Sequence, residues 1–325
     1  MNILKTRQYI KQPMSCVVFE DGKRIEDIPY ECLWDGLHSK VHKNGPLMWF
    51  IQNELSSNTI FMIPRSDGNI NRGSGEKGED NGFDWEKVAY YIEYSKSKKK
   101  NFVLGVLAQV KEEPDIKYMY LPLDDTIFSF GIRPFFKKES LPAWETRTSD
   151  LCWVGRCSGS GGVESLRYRF VDTLFRAPSS SSGSSGSLFP FPNKDKVRLS
   201  YWESENKNFP PHYFSDRVDY TEFLKYKIFF IVDGAVIASN HMWGFASGGV
   251  PVMMSNAKCW FLEYIIPNVH YVPVKYDVSD LVEKIVWIQE HEDEARQIAQ
   301  NAYEFATTTF SSDFQKNYLL EQFRK

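Results

Sequence analysis

Three short stretches place chemically capable residues beside residues that can position them. LPLDDTIFSF, Leu121 to Phe130, ends an apolar run with Asp124 and Asp125. A carboxylate just past a strand is placed to take a proton from a hydroxyl, and a pair can hold a divalent metal. An isolated Asp-Asp is also a common turn. WVGRCSGSGG, Trp153 to Gly162, is a strand running into a Gly/Ser loop ahead of a helix. That geometry offers backbone N–H groups to a phosphate, although no GxGxxG or Walker pattern is present. Arg156, Arg167 and Arg169 can balance diphosphate charge. KYKIFFIVDGAVIASNHMWGFASGG, Lys225 to Gly249, ends a strand in Asp233-Gly234 and continues through small residues to His241 and Trp243. Small residues let a ligand approach the backbone, and His241 and Trp243 can face a base, sugar or phosphate. A lone Trp is more often core.

Other chemistries lack support. The six histidines show no HExxH or similar ligand spacing, and no GxSxG elbow or cysteine-nucleophile signature occurs. The five cysteines match no zinc site or disulfide framework. A formal net charge of −3 argues against nucleic acid as a partner. The longest apolar run, Ile228–Val232, is too short to span a bilayer, and the N-terminus reads as neither signal peptide nor anchor. The expectation is a cytoplasmic protein in a reducing compartment.

The elements around these stretches alternate. In the first half, NTIFMIP and IKYMYLPL read as strands, Phe83–Lys100 as a helix with a Lys-rich last turn, and NFVLGVLAQV as strand or helix. In the second half, SDLCWVG, KIFFIVD, GVPVMM and HYVPV read as strands. Helical patterns lie over Val163–Phe175, after Asp277 or Ser279 as N-cap, over DEARQIAQNAYEFATTTF and over DFQKNYLLEQF. Gly- and Ser-rich loops fall at 67–82 and 178–187. Strands alternating with helices predict α/β architecture with parallel sheets, and ligands there sit beyond strand carboxyl ends.

In this order the stretches resemble the CAP10-like glycosyltransferase family (GT90), which includes protein O-glucosyl- and O-xylosyltransferases and capsule xylosyltransferases. KYKIFFIVDGAVIAS is similar to its hallmark strand, and HYVPVKYDVSDLVEKIVWIQEHEDEARQIAQNAYEFA to its most recognisable run. WVGRCSGSGG…RYRF resembles its Gly/Ser loop and basic helix, and PDIKYMYLPLD its catalytic-Asp segment. The first 110 residues match weakly. The resemblance implies a GT-B fold, two Rossmann-like domains facing a central cleft. Residues 1–145 would bind acceptor and 146–310 the nucleotide-sugar, with a helix at 311–325 packing back on the first domain. It implies an inverting, metal-independent transferase using a UDP-sugar, UDP-xylose ahead of UDP-glucose, with no cofactor. The acceptor would be a glycan or glycoprotein, and a microbial or viral source fits.

By the same resemblance, Asp124 is the general base and Asp125 the second choice. Gly155, Arg156, Ser158 and Gly159 lie near the diphosphate or uridine. Gly234, Ala238, Ser239 and Asn240 line the donor's other side, and Glu263 reaches the ribose or base. The family has Arg where Asn240 and Val154 stand here. Arg156 and His241 are candidates to replace that lost charge, with Arg167 and Arg169 behind. Two other readings stay open: a metal-dependent GT-A transferase using Asp124 and Asp125, and a non-catalytic nucleotide-sugar-binding or glycan-binding protein.

Overall fold

The structure is a computed structural model that describes residues 16–24, 45–55, 57–64, 85–106, 108–109, 116–122, 136–155, 166–176, 197–200, 214–215, 218–233, 237 and 240–324. The chain divides into two compact units. Unit 1 holds residues 1–131, 257–262 and 311–325; unit 2 holds 132–256 and 263–310. The division thus falls between Gly131 and Ile132, ahead of the boundary the sequence suggested.

Strands are numbered along the chain. Unit 1 contains β1 (Cys16–Glu20), β2 (Lys23–Arg24), β3 (Thr59–Pro64), β4 (Asn101–Val106) and β6 (Tyr118–Tyr120) in the order β2-β1-β3-β4-β6. β3, β4 and β6 run parallel, and β1 closes one side antiparallel to β2 and β3. The described residues of the ambiguous NFVLGVLAQV are strand: Asn101–Val106 form β4, and Ala108–Gln109 form β5, which pairs with β12 (Lys258–Cys259). Gly105 has a packing reason, because a Cβ there would meet Leu121 and Phe61 at 2.9 Å. The helix Trp85–Ser97 connects β3 to β4. Its Lys-rich end is structural: Lys100 pairs with Glu20 at 3.0 Å and with Asp21, and Lys96 with Glu93. The last helix, Ser312–Arg324, packs on the helix Pro46–Asn53 within this unit, where Phe323 meets Phe50 edge-on at 5.3 Å.

Unit 2 is built on β7 (Thr148–Gly155), β8 (Val197–Ser200), β9 (Phe214–Ser215), β10 (Tyr226–Val232), β11 (Val250–Met254) and β13 (Val272–Pro273). All neighbours are parallel and the spatial order is β9-β8-β7-β10-β11-β13. Counted within the unit this is 3-2-1-4-5-6, the doubly wound order, with its switch point between β7 and β10. A strand covered on both faces must be apolar, and β10 from Ile228 to Val232 and all of β11 (VPVMM) are. Phe230 at the centre of β10 stacks on Phe170 of the helix Leu166–Arg176 at 3.9 Å. The helix Glu292–Thr309 buries Ala295, Ile298, Ala299, Ala302, Phe305 and Ala306, a helical stripe whose alanines permit close approach to β11. Its first turn carries Glu292, Asp293 and Glu294, which the positive helix end favours.

The helix Leu281–Glu290 is capped differently from expectation. Its N-cap is Asp280, and no side chain caps it. Asp277 instead accepts from the Ser279 N–H at 3.0 Å, and Asp280 from the Lys275 N–H at 2.9 Å. The acids are used by the turn ahead of the helix, where Val278 takes a φ of 60°. Among the described residues no helix is long and apolar enough to cross a membrane.

Candidate functional site

The described candidates gather where β10, β11 and β13 end. Asp233 is the first residue after β10, and only 4% of it is exposed. Its Oδ1 lies 2.9 Å from Nε2 of His241, and its Oδ2 accepts from the Asn256 N–H, two residues past β11, at 3.1 Å. His241 is fully buried, and its Nδ1 lies 3.1 Å from Oδ1 of Asn240. Arg167, in the first turn of the helix after β7, donates Nε–H to the Asp233 carbonyl at 3.1 Å and lies over the Trp153 ring. Four elements thus converge on one carboxylate residue at the end of the central strand. A buried carboxylate is tolerated only when its lone pairs are met, and here both oxygens have partners.

Arg169, one turn-step further, reaches the carbonyl of Tyr276 with Nη2 at 3.5 Å, while its Nε is buried without a hydrogen bond. Tyr276 follows β13 and is 41% exposed. Partial burial and then the Asp233 carboxylate push its phenol up, and Arg169 pulls against them. Two residues here, Asp233 and Tyr276, were not among the sequence-derived site residues. The available signal was their position, each just past the carboxyl end of a strand in a parallel sheet.

Several expectations change on this geometry. Of the two readings of Trp243 the core one holds: it is buried, tilted against Phe229 at 4.4 Å and stacked on Phe136 at 6.1 Å. His241 has no exposed surface, so it acts through Asp233 rather than as a direct replacement for the missing Arg. Arg167, at 7% exposure, is likewise committed to the backbone. Gly155 ends β7, and a Cβ there would meet the Trp153 ring at 2.5 Å, so its missing side chain is accounted for by packing. Asn240 opens the short helix Asn240–Trp243, and Glu263 is exposed on the turn Leu262–Tyr264. Asp124, Asp125, Arg156, Ser158, Gly159, Gly234, Ala238 and Ser239 lie outside the described residues.

The Gly248-Gly249 pair belongs to the opposite rim. Gly248 has a φ of 72°, and a Cβ on it would meet Arg147 Nη2 at 2.7 Å. Arg147, just ahead of β7, donates to the carbonyls of Pro142 at 3.2 Å, Ser247 at 2.9 Å and Tyr226 at 3.5 Å. Burial lowers its guanidinium to about 10, which still leaves it charged at neutral pH.

Strand order and a charged rim at the carboxyl ends place unit 2 among the Rossmann-like α/β domains. Residues 192–325 match the model of glycosyl transferase family 90. The match bears out the CAP10-like resemblance, and the two Rossmann-like sheets bear out the α/β composition of a GT-B protein. Protein O-glucosyltransferase 2 of Danio rerio is 29% identical over 57% of this chain and 33% of its own length. Protein O-glucosyltransferase 3 of Homo sapiens is 36% identical over 24% of this chain and 16% of its own. Uncharacterized protein 179R of Invertebrate iridescent virus 6 is 32% identical over 29% of this chain and 9% of its own. The chain therefore spans a third or less of these relatives. Among solved structures, a glycosyltransferase from Rickettsia africae aligns over 78% of this chain and 84% of its own at 12% identity and TM-score 0.40. WaaG, a glycosyltransferase involved in lipopolysaccharide biosynthesis, aligns over 74% and 70% at 12% identity and TM-score 0.37.

Proposed function

We propose that this chain is an inverting, metal-independent glycosyltransferase that moves a sugar from a UDP-sugar to a hydroxyl of a glycan or glycoprotein. The observation that carries the reading is the family 90 domain lying over a doubly wound sheet whose carboxyl rim holds Asp233, Arg167, Arg169 and Tyr276. In the proposed division of roles unit 2 binds the donor and unit 1 the acceptor. Arg169 is the described cation with capacity left, since its buried Nε has no partner. It is the best-supported replacement for the family Arg absent at Asn240, together with Arg156. Tyr276 supplies an exposed aromatic beside it for the base or sugar.

The mechanism is a single displacement. A carboxylate removes the acceptor proton as that oxygen attacks the anomeric carbon, the bond to UDP breaks, and the departing diphosphate takes the electron pair. Asp124 is the proposed base, because it follows β6 and Leu121, whose N–H is tied to the Val106 carbonyl at 2.7 Å. N–H groups and cations at the carboxyl rim would stabilise the charge on UDP. Xylose and glucose differ by one hydroxymethyl group, so the donor depends on pocket volume. Xylose was the sequence-based preference; the names of the relatives favour glucose.

A panel of UDP-sugars, assayed for donor hydrolysis and for transfer, tests the reading. Asp124→Asn is expected to lower transfer by about 10²–10⁴-fold with UDP affinity nearly unchanged. Full activity in that variant removes Asp124 as base. Transfer abolished by excess EDTA supports the metal-dependent alternative, and no UDP binding at millimolar nucleotide supports the binding-protein alternative. A cytoplasmic site of action and a viral source belong to the same proposal, the latter supported by matches to two iridescent-virus proteins.

A further inference from the structure

Unit 2 has a cavity of about 510 Å³ lined by the turn before β13 and the helices Leu281–Glu290 and Glu292–Thr309. Its wall includes Asn268 and Val269, which lead into the amino end of β13, whereas Asp233, His241 and Tyr276 follow the carboxyl ends of strands. It is therefore a different place from the rim described above. We propose that this cavity is a non-catalytic site for a neutral pyranose unit of a glycan, separate from the donor site.

The volume falls in the range of small-ligand sites, roughly 300–1,000 Å³. Its apolar surface comes from Trp287, Ile298 and Val272, and its polar groups are carboxylates and amides: Glu283, Glu294, Gln297 and Asn301. A pyranose has an apolar C–H face and an equator of hydroxyls. The first suits an indole and aliphatic wall; the second needs planar groups that donate and accept side by side, as carboxamides and carboxylates do. Charge decides against a nucleotide or a sugar phosphate. Two carboxylates face a single ammonium, Lys284, which itself lies 3.8 Å from Glu283. A dianionic phosphate would be repelled, and a neutral polyol would not.

The polar groups are also held in place before any ligand arrives. Gln297 Nε2–H donates to Asn301 Oδ1 at 2.9 Å, and Asn301 Nδ2–H donates to the Val269 carbonyl at 3.0 Å. Those bonds leave the Gln297 carbonyl oxygen available as an acceptor. The Glu294 carboxylate makes no hydrogen bond or ion pair among the described residues and is free to accept from hydroxyls. Trp287 is fixed by stacking on His291, with centroids 5.0 Å apart and planes at 15°. The turn forming the rim is rigid: the Ile266 N–H donates to His270 Nδ1 at 2.9 Å, and Asn268 adopts a φ of 60°. A site whose groups are already ordered loses less entropy on binding.

The test is saturation-transfer difference NMR on the full chain with methyl β-glucopyranoside, cellotriose, chitotriose and maltotriose as probes. Saturation is expected to reach ring C–H protons of at least one probe, and saturating UDP should leave the signal in place. Trp287→Ala and Gln297→Ala should weaken that binding by at least about tenfold. Glu294→Gln, on an exposed helix face, keeps the fold and should weaken it less; circular dichroism checks all three. Should Trp287→Ala not fold, the other two variants decide. No saturation transfer to any probe, transfer that survives all the folded variants, or displacement by UDP overturns the proposal. None of these results depends on the transfer assay of Asp124→Asn, so this site and the transferase reading fail separately.

Discussion

The two rims of the six-stranded sheet each bury an arginine beside β10, and they use it differently. At the amino rim Arg147 meets only carbonyls, those of Pro142, Tyr226 and Ser247, with Gly248 leaving room for it. At the carboxyl rim Arg167 meets one carbonyl, and around it stand Asp233, His241, Arg169 and Tyr276, groups that change charge or donate. The first arrangement is closed, since its carbonyl partners have fixed positions and no proton to exchange. The second has an unpaired buried Nε on Arg169 and an exposed phenol on Tyr276. Backbone carbonyls hold a fold; ionisable groups beyond the strand ends can also meet a ligand. The same residue type therefore marks structure at one end and a candidate site at the other.

The comparison can be broken at either rim. Arg147→Ala leaves three carbonyls and a cavity behind, and should cost about 3 kcal/mol of stability with kcat/KM within about twofold of wild type. Denaturant unfolding and a transfer assay check both halves, and a loss of activity larger than the loss of folded protein would move function to the amino rim. Asp233→Asn should lower kcat/KM by about 100-fold, or roughly 2.7 kcal/mol, with a smaller effect on the unfolding midpoint. Equal kinetics would make the Asp233–His241 pair purely structural. Arg169→Met should raise donor KM about tenfold and leave stability nearly unchanged.

The smallest effect concerns pH. His270 is partly buried, which holds its imidazole below the usual 6.5, and its Nδ1 accepts from the Ile266 N–H. The unfolded chain takes up that proton first. This contribution to stability is present above the ordinary histidine value and is lost as pH falls through it towards the depressed one. The thermal midpoint should drop on going from about pH 7.5 to about pH 5, and less so in His270→Gln. An identical drop in both proteins would assign the effect to other groups.

Much of the fold was legible in local sequence. Apolar runs such as KIFFIV and stripes such as Ala295-Ile298-Ala299-Ala302 specify buried strands and a one-faced helix whatever surrounds them. The family resemblance was legible too, because KYKIFFIVDG and HYVPVKYDVSD are contiguous stretches. The role of single polar residues was not. Asp277 is placed for a cap, yet its oxygen serves the turn ahead of the helix. Gly155, Gly248 and Gly249 look alike in a ligand-loop pattern, but the neighbours that need their missing Cβ atoms are Trp153, Arg147 and the backbone of Lys227.

By itself, then, the sequence determined the α/β class, the alternation of strands with helices and the match of residues 192–325 to the family 90 model, since hydrophobic period and contiguous motifs are local properties of a chain. Only the tertiary structure decided the strand order, the burial of His241 and Trp243, and the convergence of Arg167, Asp233, Asn256 and Tyr276 from four elements. Those facts depend on which strand ends become neighbours. That is set by long-range packing, and residues from 23 to 66 positions apart, as Asn256 and Arg167 are from Asp233, carry no local mark of meeting.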